Sequence, residues 1–176
     1  MAYIPKDTLQ LLYEKLPLDH RKSKDGTSIH SHLKALHVGD HFLDFTALAS
    51  DGKTKNFSEV ADNKYTLLVF GAAWCQPCKI SRPELKEIHK VYKNRLTIVY
   101  HSADIKKETW LASIKTDALP YISFWDGGKS TLLAKYGFTS YPSMVLFDPN
   151  EKIIKLASGY SQGKYLNLIK EYLPGL

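Results

Sequence analysis

Apolar side chains near the amino end recur at the spacing of an amphipathic helix. They share one face within residues 8–16, and the i, i+4, i+7 spacing returns within residues 29–36. The residues concerned are Leu9, Leu12, Tyr13 and Leu16, followed by Ile29, Leu33 and Leu36. Residues 19–28 between them are charged and contain a glycine, which predicts a loop. The pattern therefore predicts two short helices joined by a loop.

The middle of the chain carries the strongest pattern. Residues 65–70 and 96–100 are near-continuous apolar runs, typical of strands buried on both faces, and residues 75–93 between them have apolar side chains at helical spacing. Strand, helix and strand in this order form the crossover unit of a parallel sheet. Upstream, an imperfect alternation on either side of Asp51-Gly52 predicts a small β-hairpin.

The carboxyl-terminal part continues the mixture of helices and strands. Helical patterns cover residues 108–115, 130–136 and 163–173, and strand patterns cover residues 143–147 and 153–157 on either side of a turn. The predicted order after the hairpin is βαβ, then α, then ββα. This order predicts an α/β fold class.

Composition excludes several kinds of protein. The 176 residues fit one domain with a modest extension, and no apolar run approaches the roughly 20 residues of a membrane-spanning helix. The net charge is +6, but the lysines are scattered among acids and no nucleic-acid module signature is present. We therefore expect a solvated basic surface, no nucleic-acid partner and no transmembrane segment.

Both cysteines of the chain lie in one motif, Cys75-Gln76-Pro77-Cys78. A network of structural disulfides is thereby excluded, which leaves a redox pair or half of a zinc site. A zinc site needs further ligands, and neither a second CxxC nor a closely spaced histidine pair accompanies the motif in the usual arrangement. The nearby histidines His30, His32, His37 and His41 are expected to be solvated, and no metal is expected.

The motif follows a predicted buried strand and opens a predicted helix. A helix amino terminus stabilises a thiolate, so Cys75 is predicted to be the acidic, exposed nucleophile. Lys79 follows Cys75 by four residues and Arg82 follows Cys78 by four, so each is expected to bring a cation towards one sulfur and tune its pKa. Cys78, one turn deeper, is predicted to resolve the mixed disulfide that Cys75 forms.

Several motifs together resemble one known family. Trp74-Cys75-Gln76-Pro77-Cys78 follows a predicted strand, and Tyr141-Pro142 precedes another about sixty residues later. Val38-Gly39-Asp40 with Asp44-Phe45, the helical Pro83, and Tyr136-Gly137-Phe138 match further family positions. From residue 38 onwards the chain resembles the thioredoxin superfamily, in particular its TlpA-like (ResA-like) extracytoplasmic reductases.

The resemblance implies a thioredoxin-like fold, a central mixed sheet flanked by helices, at residues 38–176, after a helical extension at residues 1–37. It implies a protein thiol–disulfide oxidoreductase without a bound cofactor, monomeric, acting on protein disulfides and supplied with electrons by a donor protein. Trp74, Gln76, Pro77, Tyr141 and Pro142 are expected to bind the substrate, and the Tyr141-Pro142 bond is expected to be cis.

Two positions depart from the family pattern. Relatives that serve cytochrome maturation have a buried glutamate three residues after the second cysteine, where this chain has Ser81. Cytosolic thioredoxins have a buried aspartate six residues before the first cysteine, where this chain has Val69. The group that accepts the proton of Cys78 is therefore unassigned, with Glu84 or a water molecule as candidates.

Two other functions stay open from the residues alone. A peroxiredoxin-type peroxidase needs a threonine three residues before its nucleophile and a proline seven before it, where this chain has Ala72 and Leu68. A non-catalytic interaction module with an incidental dithiol is the second alternative. The amino end lacks a signal-peptide pattern. We expect an extracytoplasmic domain taken from a longer exported chain, with a cytosolic protein as the alternative.

Overall fold

A computed structural model describes residues 6–61, 63–129 and 131–173 of the chain. Seven strands form one mixed sheet in the order β2-β1-β5-β4-β3-β6-β7. The strands are β1 Thr46–Ala49, β2 Thr54–Asn56, β3 Tyr65–Gly71, β4 Leu96–Ser102, β5 Ile122–Trp125, β6 Ser143–Phe147 and β7 Ile153–Ser158. Strand β3 runs parallel to β4 and antiparallel to β6, so it lies at the centre of the sheet.

Helices precede the sheet and cover both of its faces. They are α1 Lys6–Glu14, α2 Leu18–Lys22, α3 Lys24–Lys34, α4 Ser58–Ala61, α5 Gln76–Tyr92, α6 Lys107–Asp117, α7 Leu132–Lys135 and α8 Lys164–Tyr172. The predicted α/β class is confirmed, with amino-terminal helices and a β1–β2 hairpin. Within the described ranges, none of these helices has the length and apolar character needed to cross a membrane.

The two faces of β3 build two separate cores. Leu67 and Val69 pack with apolar side chains of α5 and α8 on one face. Leu68 and Phe70 pack on the other face in an aromatic core that contains Phe57. Burial on both faces explains the unbroken apolar run of β3.

The predicted loop at residues 19–28 is wrong. Helices α2 and α3 occupy this stretch, so three helices lead into the sheet. Ser23 caps α3 by accepting a hydrogen bond from the Gly26 backbone N–H at 3.1 Å. A Cβ on Gly26 would lie 2.1 Å from the His20 carbonyl oxygen, so this glycine permits the close crossing of the two helices rather than a loop.

Two short elements are absent from the sequence prediction. Strand β5 pairs with β4 and β1, and the four-residue helix α4 follows the hairpin. Both are too short to show a periodicity. The predicted helix at residues 130–136 corresponds to α7, and its first position lies outside the described residues.

Candidate redox site

Cys75 and Cys78 lie where β3 gives way to α5, at the carboxyl end of the central strand. Their sulfur atoms form a disulfide of 2.05 Å, and their Cα atoms are 5.2 Å apart. Cys75 is the N-cap residue of α5, and its Sγ accepts a hydrogen bond from the Cys78 backbone N–H at 3.2 Å. The backbone geometry of the helix start therefore keeps the two sulfurs within bonding reach.

The expectation of an exposed Cys75 is wrong in this disulfide form. Cys75 is 5% exposed and Cys78 is fully buried, because Ala72, Ala103 and Tyr141 pack around the pair. The predicted difference in depth between the two cysteines is nevertheless present. Of the two cysteines, only Cys75 keeps any exposed fraction.

An aromatic rim borders the disulfide. Trp74 is 63% exposed, and its ring meets the Tyr141 ring edge-to-face with centroids 5.7 Å apart. The Tyr141-Pro142 bond is cis, as predicted, and Pro142 is buried. Gln76 and Pro77 are exposed in the first turn of α5. The structure thus gathers all five residues that we expected to bind the substrate around or beside the dithiol.

The two cations predicted to tune the sulfurs have different surroundings. Lys79 is exposed on the first turns of α5. Arg82 is 2% exposed, and its guanidinium forms an ion pair with the Asp117 carboxylate at the end of α6. The arginine does not lie as a free surface cation over Cys78; its charge is shared with Asp117 inside the protein.

A tyrosine on β4 lies opposite the position at which cytosolic thioredoxins have a buried aspartate. Tyr100 on β4 is the register partner of Val69 on β3. Arg82 Nη2 donates to the Tyr100 hydroxyl oxygen at 3.5 Å. Burial raises the pKa of Tyr100, and the neighbouring Arg82 opposes this rise only in part. Ser81 stands where relatives that serve cytochrome maturation have a buried glutamate. Its hydroxyl donates to the Cys78 carbonyl oxygen at 2.8 Å, so this position supplies no acid to the sulfur.

The loop before Cys75 is held by a buried acid that the sequence did not reveal. Asp104 is 1% exposed, and its carboxylate accepts from the Ala73 backbone N–H at 3.0 Å and from the Ser102 hydroxyl at 2.7 Å. The only sequence signal is an aspartate shortly after a buried strand. Asp104 therefore positions the segment that leads from β3 to the dithiol.

Glu84, one of the two candidates for the Cys78 proton acceptor, has other partners. Its carboxylate accepts from the Tyr160 hydroxyl at 2.6 Å and from the backbone N–H groups of Gly163 and Leu166 at 3.1 and 2.7 Å. Both oxygens are thereby directed at the beginning of α8. The geometry gives Glu84 a structural role there.

A His–Asp pair lies near Tyr141 and lines the same small cavity. His101 Nε2 lies 3.1 Å from an Asp126 carboxylate oxygen, and both residues line a small cavity with Phe70 and Tyr141. Burial and the Asp126 charge raise the pKa of Tyr141, so its hydroxyl is neutral in ordinary buffers. Among the residues that the structure describes, no group of three or more His, Cys, Asp or Glu side chains is arranged to hold a metal ion.

Comparison with known proteins agrees with this geometry. Residues 62–153 match the family model described as thioredoxin-like. Over 113 residues the chain is 28% identical to the thioredoxin-like protein YneN of Bacillus subtilis, covering 62% of this chain and 65% of YneN. The chain thus spans slightly less than two thirds of that relative.

Two solved structures extend the likeness. A thiol-disulfide oxidoreductase from Bacteroides fragilis is 29% identical, with a TM-score of 0.67 over 76% of this chain and 100% of that one. A candidate thiol:disulfide interchange protein DsbE from Chlorobium tepidum is 24% identical, with a TM-score of 0.72 over 79% of this chain and 97% of that one. The predicted thioredoxin-like fold is confirmed.

Proposed function

The chain belongs to the thioredoxin-like family and is a thiol–disulfide oxidoreductase, and from this premise we propose that it reduces disulfides of other proteins, with Cys75 as the nucleophile and Cys78 as the resolving thiol. One observation carries the proposal. The two sulfurs form a disulfide at the start of α5 beside the aromatic rim, and of the two buried cysteines Cys75 keeps a 5% exposed fraction whereas Cys78 keeps none. A substrate disulfide that approaches the rim meets Cys75 first.

Reduction takes two exchanges. The Cys75 thiolate attacks one sulfur of the substrate disulfide, the substrate S–S bond breaks, and the released sulfur leaves as a thiolate that takes up a proton. The Cys78 thiolate then attacks Cys75 Sγ, which forms the Cys75–Cys78 disulfide and releases the second substrate sulfur. Two electrons pass to the substrate, and a donor protein must return two electrons to the dithiol before the next cycle.

We assign substrate binding to the rim around the dithiol. Trp74 and Tyr141 offer exposed and half-buried aromatic surface, and Gln76 and Pro77, both exposed, follow Cys75 in the first turn of α5. Pro142 follows Tyr141 at the same wall. Extended polypeptides bind through main-chain hydrogen bonds that tolerate many side chains, as a reductase with several substrates requires. Lys79, exposed four residues after Cys75, is the cation that we assign to stabilising its thiolate.

The domain division and the compartment belong to the same proposal. Residues 38–176 form the redox domain in this view, and residues 1–37 form a helical extension of it. The resemblance to TlpA-like proteins favours an extracytoplasmic monomer. Fractionation of cells that carry the complete gene, with alkylation of free thiols at harvest, tests the compartment; recovery in the cytosol would contradict this part of the proposal.

A trapping experiment tests the roles of the two cysteines. A Cys78→Ser variant should accumulate mixed disulfides with protein substrates, because the resolving thiol is missing. A Cys75→Ser variant should accumulate none, since Cys78 is fully buried. The double variant is the matched control. Equal trapping by Cys75→Ser and Cys78→Ser would show that the assignment of nucleophile is wrong.

The two alternative functions make different predictions. A peroxidase would consume hydrogen peroxide with a reductant present, yet Ala72 and Leu68, at the positions of the peroxidase threonine and proline, are apolar and fully buried. An interaction module would reduce no disulfide at any concentration. Reduction of a generic protein disulfide by wild type, lost in both single-cysteine variants, would exclude the module.

A further inference from the structure

Gly71, at the end of β3, marks a point between the Tyr100 hydroxyl and the Cys78 sulfur. A Cβ placed on Gly71 would lie 2.1 Å from the Tyr100 hydroxyl oxygen and 3.2 Å from Cys78 Sγ. The oxygen and the sulfur can therefore be no farther apart than the sum of these two distances. Residue 71 itself places no side chain between them, because it is glycine.

The register of the sheet explains why this tyrosine reaches the sulfur. Tyr100 pairs directly with Val69 across the parallel β3–β4 ladder, and both side chains belong to the core beneath α5. Register partners on neighbouring strands point to the same face of a sheet. Val69 occupies the position at which cytosolic thioredoxins have a buried acid, so Tyr100 brings a polar group to that region from the adjacent strand.

Arg82 prepares the Tyr100 hydroxyl as a hydrogen-bond donor. Its Nη2 donates to the hydroxyl oxygen at 3.5 Å, which leaves the phenolic proton for another acceptor, and its Cζ lies 5.5 Å from the centre of the tyrosine ring. Since burial raises the pKa of Tyr100, the phenol keeps its proton at neutral pH. A neutral phenol cannot accept the proton of Cys78, but it can donate to the thiolate.

We propose that the Tyr100 hydroxyl, supported by Arg82, donates a hydrogen bond to the Cys78 thiolate in the reduced protein and in the mixed disulfide, and so stabilises the resolving nucleophile. This inference rests on the proposed function. A thiol buried in apolar surroundings resists ionisation, and a hydrogen bond made to the thiolate favours the charged form. The proton itself leaves with water or the departing substrate sulfur; Tyr100 keeps its own.

Other charged and titratable groups face the same region. Asp104, after β4, raises the pKa of Tyr100, whereas Arg82 on α5 lowers it and is itself paired with Asp117 on α6. Tyr121, before β5, and Tyr165 on α8 complete the cluster, and burial raises the pKa of both hydroxyls. Of the three tyrosines, Tyr100 is the one whose hydroxyl is among the atoms nearest to a Cβ placed on Gly71, together with Cys78 Sγ.

The test separates the two sulfurs by their kinetics. The reduced full-length protein is mixed with an excess of the aromatic disulfide dithiobis(nitrobenzoate), and release of nitrothiobenzoate is followed by stopped-flow absorbance over a range of pH. Attack by Cys75 releases the first equivalent at a rate that rises with reagent concentration. Attack by Cys78 on the resulting mixed disulfide releases the second equivalent at a rate independent of that concentration. A Cys78→Ser variant identifies the second phase by its loss.

In a Tyr100→Phe variant, the pKa of the second phase should rise by about one unit, which lowers the thiolate fraction about tenfold below that pKa. A more basic thiolate is a stronger nucleophile, with a Brønsted slope of about 0.4–0.5 that recovers about threefold. The second phase should therefore be about three- to fourfold slower at neutral pH. Above both pKa values it should be about threefold faster than in wild type. A packing defect would slow the phase at every pH and would give no such crossing.

Tyr121→Phe is the matched control, because it removes a buried hydroxyl from the same cluster that is not among the three atoms nearest to a Cβ placed on Gly71. Its second-phase pH profile should coincide with that of wild type. Gly71→Ala, which places a methyl group between the oxygen and the sulfur, should repeat the shift of Tyr100→Phe. An unchanged second-phase pKa in Tyr100→Phe, with a normal first phase, would overturn this inference alone. Absence of the first phase in wild type would overturn the proposed function.

Discussion

Glu84 fastens the carboxyl-terminal helix to the helix that bears the dithiol. The N-cap residue of α8 is Gly163, which has no side chain to cap the helix. Glu84 on α5 replaces that cap from outside, since its carboxylate accepts from the backbone N–H groups of Gly163 and Leu166 and from the Tyr160 hydroxyl. Replacing Glu84 with alanine removes all three hydrogen bonds together.

The size of the effect follows from the geometry. Loss of an N-cap acceptor costs about 0.5–2 kcal/mol, and a hydrogen bond to a charged group contributes about 1.5–3 kcal/mol. Glu84 is only half-buried, so water can replace part of what is lost. We expect Glu84→Ala to lower the free energy of unfolding by about 2–4 kcal/mol, a large fraction of the roughly 5–15 kcal/mol of a typical domain. Glu84→Gln, which retains one acceptor oxygen, should lose about half as much.

Urea unfolding of the oxidised protein, followed by far-ultraviolet circular dichroism, measures these changes at constant m-value. Glu87→Ala is the control, because Glu87 is exposed on α5 one turn away and should change stability by less than about 0.5 kcal/mol. The rate of the second kinetic phase should be the same in Glu84→Ala as in wild type. Equal stabilities of the Glu84→Ala and Glu87→Ala variants would refute the capping argument.

Three further predictions concern the rest of the site and its support. Asp104→Ala should lower the free energy of unfolding by about 2–3 kcal/mol in the same urea assay, because the part-buried Ala73 N–H and the buried Ser102 hydroxyl lose their acceptor. Burial raises the pKa of Tyr136 to about 12, from an ordinary value of 10.0. A phenol whose pKa is higher in the folded state stabilises the protein below the unfolded pKa, so stability should fall by about 2–3 kcal/mol between pH 10 and 12. Tyr136→Phe should lack this part of the alkaline loss when unfolding is measured against pH. Trp74→Ala should raise the KM for a protein disulfide about 5- to 10-fold and leave stability within about 0.5 kcal/mol, because the exposed ring contributes to binding rather than to the core.

Each of these predictions has a contrary result. An Asp104→Ala protein as stable as wild type would mean that the loop before Cys75 does not depend on the buried carboxylate. Parallel stability–pH curves for Tyr136→Phe and wild type above pH 10 would assign the alkaline loss to other groups. An unchanged KM in Trp74→Ala would remove the indole from the substrate-binding surface.

The spacing of apolar residues is sufficient to predict the elements that bury one broad face or both faces. Strands β3 and β4 and the helix α5 between them were predicted because their apolar runs are long and differ in period. The loop prediction for residues 19–28 is wrong for the opposite reason, because this stretch has no long apolar pattern. The helices there are mostly exposed and charged. Gly26 permits two helices to approach closely, but in the sequence a glycine among charged residues is typical of a loop.

The dithiol and its aromatic rim were also recoverable, because their residues stand in contiguous motifs. The buried residues that support the dithiol and its rim cannot be predicted in this way. Tyr100 comes near Cys78 because β3 and β4 pair in a particular register and residue 71 has no side chain. Asp104 reaches Ala73 across a similar distance in sequence. Interactions of this kind depend on which strands become neighbours, and one sequence contains no direct record of that choice.

The redox site combines segments that are synthesised at different times, because its two walls lie far apart in the chain. The dithiol and α5 follow β3 directly in the chain and precede β4, whereas Tyr141 and Pro142, which directly precede β6, are synthesised much later. Contacts between distant segments also form more slowly, because closing a longer loop costs more chain entropy. During synthesis the two cysteines are therefore present before Tyr141 and Pro142, which form the other wall of the site. The site is complete only when the Tyr141 ring packs edge-to-face against Trp74.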